Sequence, residues 1–146
     1  MSVLPDCVIA GAGPTGLTLA LELLRRGKSV RIFDRSSGPR PEGQSRALGV
    51  LPATLSVLEP SGVTQRLHEE GIRIEWVAIY KYGKALTVLD IKQGGGRWPY
   101  LLSIPQGRTE RILLHEVRKA GVEVGWNVEA TGVDIDGINP ALMVSC

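Results

Sequence analysis

An α/β fold built on a parallel sheet is predicted from three observations. The apolar run Cys7-Val8-Ile9-Ala10 has the length of a buried strand, Leu17, Ala20, Leu21 and Leu24 recur at helical spacing, and Val30 to Phe33 is a second apolar run closed by Asp34. Strand, helix and strand in that order form the crossover that parallel pairing requires.

The turn between the first strand and the helix reads Gly11-Ala12-Gly13-Pro14-Thr15-Gly16. Gly11 permits the tight bend, Gly13 has no side chain to keep a pyrophosphate off the backbone, and Gly16 lets the helix pack closely on the sheet. Pro14 suits the first helical turn because its missing N–H would be unpaired there anyway. An anion is then favoured at the helix N-terminus by free N–H groups and the positive end of the dipole. Gly27 stops the helix, and Arg25, Arg26 and Lys28 complement its C-terminal dipole. A lone G-x-G-x-x-G is a weak signal. Here it has a strand before it, a helix after it, and an acid at the tip of the second strand, which together predict a Rossmann-like FAD/NAD(P)-binding unit. Asp34 can accept hydrogen bonds from ribose hydroxyls and would repel a 2′-phosphate, which favours FAD or NAD over NADP.

The chain has 146 residues, 43% of them hydrophobic, and a formal net charge of +2. That length supports a substantial core, and the near balance of charge gives no field that argues for nucleic acid or a membrane. No run of apolar residues reaches the length of a membrane span, and the N-terminus lacks the pattern of a signal peptide, so a cytoplasmic location is expected. Cys7 falls in the first strand and Cys146 ends the chain, which suggests neither a disulfide framework nor a zinc site. His68 and His115 have no partner at ligand spacing, so no metal site is expected.

After Asp34, the stretch Arg35 to Gly43 is polar, rich in glycine and proline, and reads as a loop. A helix is predicted over Leu48–Leu58 and a shorter one over 63–70. From Ile72 the periodicity changes to two, so a hairpin is expected with Ile72 to Tyr80 as one strand, a turn at Tyr82-Gly83-Lys84, and Ala85 to Ile91 returning. Tyr100 to Ile104 predicts a strand, and Arg108 to Ala120 a helix that buries Ile112, Leu113, Val117 and Ala120 and turns Arg111, Glu116, Arg118 and Lys119 to solvent. Val122 to Val124 is expected as the third parallel strand, followed by an extended segment that turns at Asp136-Gly137 into Ala141 to Ser145.

The run SRALGVLPATLSVLEPSGV, with the G-x-G-P-x-G start and the Asp34-Arg35 pair, resembles the flavoprotein monooxygenases of the aromatic-ring hydroxylase, or para-hydroxybenzoate hydroxylase, type. The resemblance implies that Asp34 binds the ribose of the FAD adenosine, that Arg35 matches the arginine after that acid, and that Arg46, with Ser45 beside it, contacts FAD and borders the path of the nicotinamide cofactor. Gln106, placed just before the last helix in the pattern Gln106, Glu110, Leu113, matches a glutamine that reaches FAD. The segment near Val128 to Ala130 would meet the adenine. The cofactor-binding set is therefore Gly11, Gly13, Pro14, Thr15, Gly16, Asp34, Arg35, Ser45, Arg46 and Gln106, with no catalytic residue of the chain's own.

The same resemblance assigns 1–71 and 97–146 to an incomplete FAD-binding domain and 72–96 to a β-hairpin of the substrate-binding domain's sheet, where Trp76, Tyr80 and Tyr82 are read first as packing residues. A complete enzyme of this type uses NADPH or NADH and oxygen to hydroxylate a small, generally aromatic, molecule. The family's later Asp-Gly and Gly-Asp motifs have no counterpart here, because Asp136-Gly137 reads as a turn. The chain is thus expected to be a truncated piece, inactive and weak in FAD retention alone, whose partners are a missing C-terminal portion or a second copy. Two alternatives remain open at the level of sequence: an NAD-dependent dehydrogenase domain, and a nucleotide- or partner-binding module without catalysis.

Overall fold

A computed structural model describes residues 4–41, 47–136 and 140–145. In chain order the elements are β1 (Cys7–Ala10), α1 (Pro14–Arg25), β2 (Val30–Asp34), β3 (Ala47–Val50), α2 (Pro52–Leu58), α3 (Val63–Glu70), β4 (Ile72–Ile74), β5 (Trp76–Lys81), β6 (Lys84–Asp90), β7 (Leu101–Pro105), α4 (Gln106–Lys119), β8 (Val124–Trp126), β9 (Glu129–Asp134) and β10 (Ala141–Ser145). Short 3₁₀ turns at Glu59–Ser61 and Ile91–Gly94 complete the described chain.

The site-bearing unit is the parallel sheet β1-β2-β8, with β2 in the middle. Its register sets Ile9 beside Ile32 and Ile32 beside Val124, so these buried side chains share one face. Leu17, Ala20 and Leu21 of α1 and Ile112, Leu113 and Val117 of α4 belong to the same core, and the two helices pack side by side. The N-terminal ends of β1 and β2 are held together by Asp6, whose Oδ2 accepts from both the N–H and the hydroxyl of Ser29 at 2.8 Å. Polar pairing thus closes the end of the sheet where the strands carry no turn between them.

The second sheet, β3-β7-β4, is antiparallel, with β7 central. It corrects two expectations. Leu48 to Leu58 is not one helix, because Ala47–Val50 pairs with β7 and the helix starts only at Pro52. Leu51, preceding proline, takes the extended conformation (φ −72°, ψ 154°) that the proline ring imposes on its predecessor. Ile72 does not start the hairpin either: Ile72–Ile74 pairs with β7, Glu75 intervenes, and the hairpin runs from Trp76 to Asp90. One parity stays apolar without a break across 72–80, so periodicity alone had no means of dividing it between two sheets.

Within α4, Glu116 is buried rather than solvated, with Arg66 Nε of α3 3.1 Å from its Oε1, while Ala120 lies on the surface. The third parallel strand starts at Val124, two residues later than expected. The hairpin turn is Tyr82-Gly83, both with positive φ (49° and 75°), the backbone that matches the twist of two-residue hairpins. Next to β4, the Tyr100 hydroxyl lies 2.8 Å from His68 Nε2, the Trp98 ring lies tilted with its centre 4.7 Å from that of the His68 ring, and the Arg73 guanidinium covers Tyr100.

Candidate functional site

The turn after β1 is shaped by two glycines and left open by a third. Gly11 has φ +105°, where a side chain is strained, and its N–H donates to the Phe33 carbonyl at 2.7 Å, which pins the bend to β2. A Cβ built on Gly16 would land inside the Gly11 carbonyl and 3.3 Å from Ile9 Cγ2, so α1 approaches the strand as closely as the absence of a side chain allows. Gly13 differs: a Cβ there meets nothing within 4 Å. Gly13 is the N-cap of α1, in extended conformation, with Pro14 next and no side chain capping the helix. Bare main chain therefore faces open space at the positive end of a twelve-residue helix.

That open space is a cleft of about 510 Å³ at the carboxyl ends of the parallel strands, the position at which open α/β sheets bind ligands. Ala12, Gly13, Asp34, the loop Arg35 to Pro41, Glu110 and Trp126 line it. Of the residues singled out from sequence, Gly13, Asp34 and Arg35 line the cleft directly. Gly11 and Gly16 shape the turn beside it, Pro14 and Thr15 form the first turn of α1, and Gln106 reaches it through Glu110. Ser45 and Arg46 lie outside the described residues.

Asp34 is fixed before any ligand arrives. Its Oδ2 accepts from the Ala12 N–H at 2.6 Å, and its Oδ1 accepts from the N–H and hydroxyl of Ser36 at 2.8 and 2.6 Å. Partial burial is the largest single influence on the carboxyl and pushes its pKa up. The Ser36 hydroxyl, the Ser36 and Ala12 N–H groups and the Arg35 charge together outweigh it and hold the group below its usual value. A carboxylate offers about four acceptor positions, so one remains for a donor in the cleft. Arg35 is largely exposed, with its guanidinium 3.8 Å from Glu129.

The same cleft is lined by a buried carboxylate that the sequence shows only as part of a pattern. Glu110 is 5% exposed, accepts from Gln106 Nε2 at 2.8 Å, and lies 3.6 Å from Arg40 Nε. Its signal was the spacing of four from Gln106, which puts both on one helical face. Ser36, Ser37, Arg40 and Trp126 were also missed. Ser36 was findable as the residue two after an aspartate, the offset of an Asx turn. Trp126 was not, because its role depends on which strand lies beside β2. Among the described residues no group of three or more His, Cys, Asp or Glu could hold a metal ion, and no helix is long and apolar enough to cross a membrane.

Comparison with known proteins fits this geometry. The family model for the FAD binding domain matches residues 5–144. The chain belongs to the FAD-binding domain family. It is 39% identical over 127 residues to 6-methylpretetramide 4-monooxygenase of Streptomyces rimosus, covering 86% of this chain and 22% of that protein. To pentachlorophenol 4-monooxygenase of Sphingobium chlorophenolicum it is 32% identical over 139 residues, covering 92% and 26%. Among solved structures, p-nitrophenol 4-monooxygenase from Pseudomonas putida superposes with a TM-score of 0.86 at 25% identity, over 99% of this chain and 37% of that one. This FAD-binding domain thus spans between about a fifth and two fifths of the proteins it matches. These three are named as monooxygenases, two of them of phenols, and the family resemblance read from Asp34-Arg35 and the 45–63 run agrees with them.

Proposed function

We propose that this chain holds the adenosine and pyrophosphate half of FAD in a flavin-dependent monooxygenase that acts on an aromatic compound. The observation that carries the reading is the pairing of an unobstructed Gly13 main chain at the α1 N-terminus with the Asp34 carboxylate across one cleft. The sheet order β1-β2-β8, with a crossover helix between β1 and β2, supports a Rossmann-like unit.

In this reading the pyrophosphate lies on the main chain of Gly13 and the first turn of α1, where N–H groups and the helix dipole stabilise its charge without a side chain between them. Asp34 accepts from a ribose hydroxyl at its remaining acceptor position, and Ser36 and Ala12 keep the carboxylate aimed while it does so. Arg35 offsets the charge at the cleft rim. Gln106, oriented by Glu110, and Arg46 extend the contact toward the rest of the cofactor. FAD, when bound in the whole protein, supplies electron transfer from NADPH or NADH to oxygen, and hence the hydroxylation. This chain binds, orients and excludes water at the nucleotide end.

The division into 1–71 with 97–146 and an excursion over 72–96 is part of the same proposal. The hairpin β5–β6, apolar on both faces, is then the edge of the substrate domain's sheet, covered by the remainder of the protein or by a partner.

Titration of the purified chain with FAD, ADP, NADH and FMN tests the reading. FAD and ADP bind with affinities that fall together in Gly13→Val, and FMN, which lacks the adenosine, does not bind. Equal affinity for FMN and FAD, or affinity for FAD unaltered in Gly13→Val, overturns it. Tighter binding of NADH than of FAD favours the dehydrogenase alternative.

A further inference from the structure

We infer that Arg40 is the counter-charge of this cleft: by pairing with the buried Glu110 carboxylate it cancels a negative charge that would otherwise repel a diphosphate. The inference rests on the proposed reading of the cleft and gives a task to a loop residue outside the cofactor-binding set read from the sequence.

The charged side chains that line the cleft are Asp34, Arg35, Arg40 and Glu110, two acids and two bases. With all four in place their formal charges cancel, and the attraction of an anion is left to the open main chain and the helix dipole at Gly13. The two acids are not held alike. Asp34 accepts from two N–H groups and a hydroxyl. Glu110 accepts from the uncharged carboxamide of Gln106 at 2.8 Å, and among the described residues the cation against it is Arg40, whose Nε lies 3.6 Å from the same Oε1. Because Glu110 is buried, water screens its charge poorly, so without a cation it would act on an anion in the cleft at close to full strength.

Arg35 does not fill that place. Its side chain is 80% exposed, and its guanidinium lies against Glu129 at 3.8 Å. Arg40 is the more buried of the two, and it stands between Pro39 and Pro41, whose rings fix φ on either side of it and restrict where the loop can carry the guanidinium. A half-exposed ion pair adds little to folding. Its worth at this position is electrostatic: without Arg40, the charged side chains of the cleft carry a net charge of −1 where the proposed ligand is an anion.

Titration with ADP and with adenosine separates charge from fit, since adenosine presents the same sugar and base without the phosphates. Arg40→Ala weakens ADP roughly tenfold and leaves adenosine within about twofold, and Arg40→Lys, which keeps the charge, holds ADP within about threefold. The cycle with Glu110 decides the cause. In a Glu110→Gln background, Arg40→Ala alters ADP affinity by no more than about twofold, because the charge it would unmask is no longer there. Thermal melts establish that each variant is folded, and Arg40→Gln repeats the series should the alanine variant unfold. If Arg40→Ala weakens ADP as much in the Glu110→Gln background as in the unaltered chain, Arg40 touches the nucleotide itself and the inference is overturned. It is equally overturned if Arg40→Ala weakens adenosine as much as ADP, or leaves ADP affinity unchanged. In each of these outcomes ADP binding that depends on Gly13 leaves the cleft reading standing. If no adenine nucleotide binds in a Gly13-dependent way, the cleft reading fails and the role of Arg40 with it.

Discussion

The nucleotide unit and the hairpin β5–β6 are both rich in apolar residues and reach opposite ends. In β1, α1, β2, α4 and β8 the apolar side chains converge on one core, in which Ala20 and Val117 are wholly inaccessible. In the hairpin, Trp76 is 64% exposed, Leu86 62% and Val88 60%, and neither face is covered. The difference shows that the first region is finished by its own sequence, while the second has the composition of a buried strand pair and the surroundings of an edge. A substitution in the first should be read in folding and binding, and one in the second in neither.

The largest effect belongs to the closest approach in the first region. In Gly16→Val the added carbons collide with the Gly11 carbonyl and Ile9, and because the obstacle is main chain, the helix must move off the strand. Overpacking of this kind costs about 3 kcal/mol, which lowers the thermal midpoint by about 10 °C in a domain of this size. Gly13→Val, three residues away and with nothing to strike, leaves that midpoint within about 2 °C. It removes nucleotide affinity by roughly a hundredfold or more, since at least two charge-assisted main-chain bonds are lost. Thermal melts and FAD titrations of the two variants side by side check the contrast. A Gly13→Val chain that melts as low as Gly16→Val would mean that the turn is structural throughout.

Asp34→Ala comes next, with a loss of about 1.5–3 kcal/mol in adenosine affinity, or roughly ten- to hundredfold by titration. The acid also has a pH signature. Because the folded carboxyl titrates below its ordinary value, its contribution is complete above the unfolded pKa near 3.8 and fades only as pH falls through the lower folded value. Nucleotide affinity should therefore stay flat from pH 8 to pH 5 as far as Asp34 is concerned. A midpoint near pH 6 would point to another group.

How far these elements could be read beforehand depends on whether their cause is local. The turn, α1 and the acid at the end of β2 were legible because each follows from a residue type acting on its immediate neighbours: a glycine that admits positive φ, a proline at a first turn, an aspartate at a strand end. Trp126 was not, since its place beside Asp34 follows from which strands pair. Glu116 was misread for the same reason, because its charge belongs to Arg66 on α3 and helical periodicity sees one helix at a time. The strand Ala47–Val50 was missed because its only reason to be extended is the presence of β7.

His68 gives a smaller effect at the border between the two regions, where α3 meets the segment that leads out of the hairpin. Burial, and then the charge of Arg73, lower its pKa in the fold. The folded protein then binds fewer protons than the unfolded chain below about pH 6.5, so stability falls as pH drops from that value toward the folded pKa and is fully present above it. In His68→Gln this part of the pH dependence disappears, which denaturant unfolding at pH 5.5 and pH 8 measures directly. An unchanged difference between the two pH values would assign it elsewhere.

The smallest effect is the one the comparison needs most. Trp76→Thr with Leu86→Thr replaces two large apolar side chains on the hairpin by a residue that suits strands, and at exposed positions such changes stay within about 0.5 kcal/mol. Leu102→Ala in β7, at a wholly buried position, should cost about 2–5 kcal/mol by the same denaturant measurement. The double hairpin variant is also expected to be more soluble, because the apolar area it removes is open to other copies of the chain. If it instead unfolds like Leu102→Ala, the hairpin has a packing partner within the chain, and the contrast between a finished and an unfinished region does not hold.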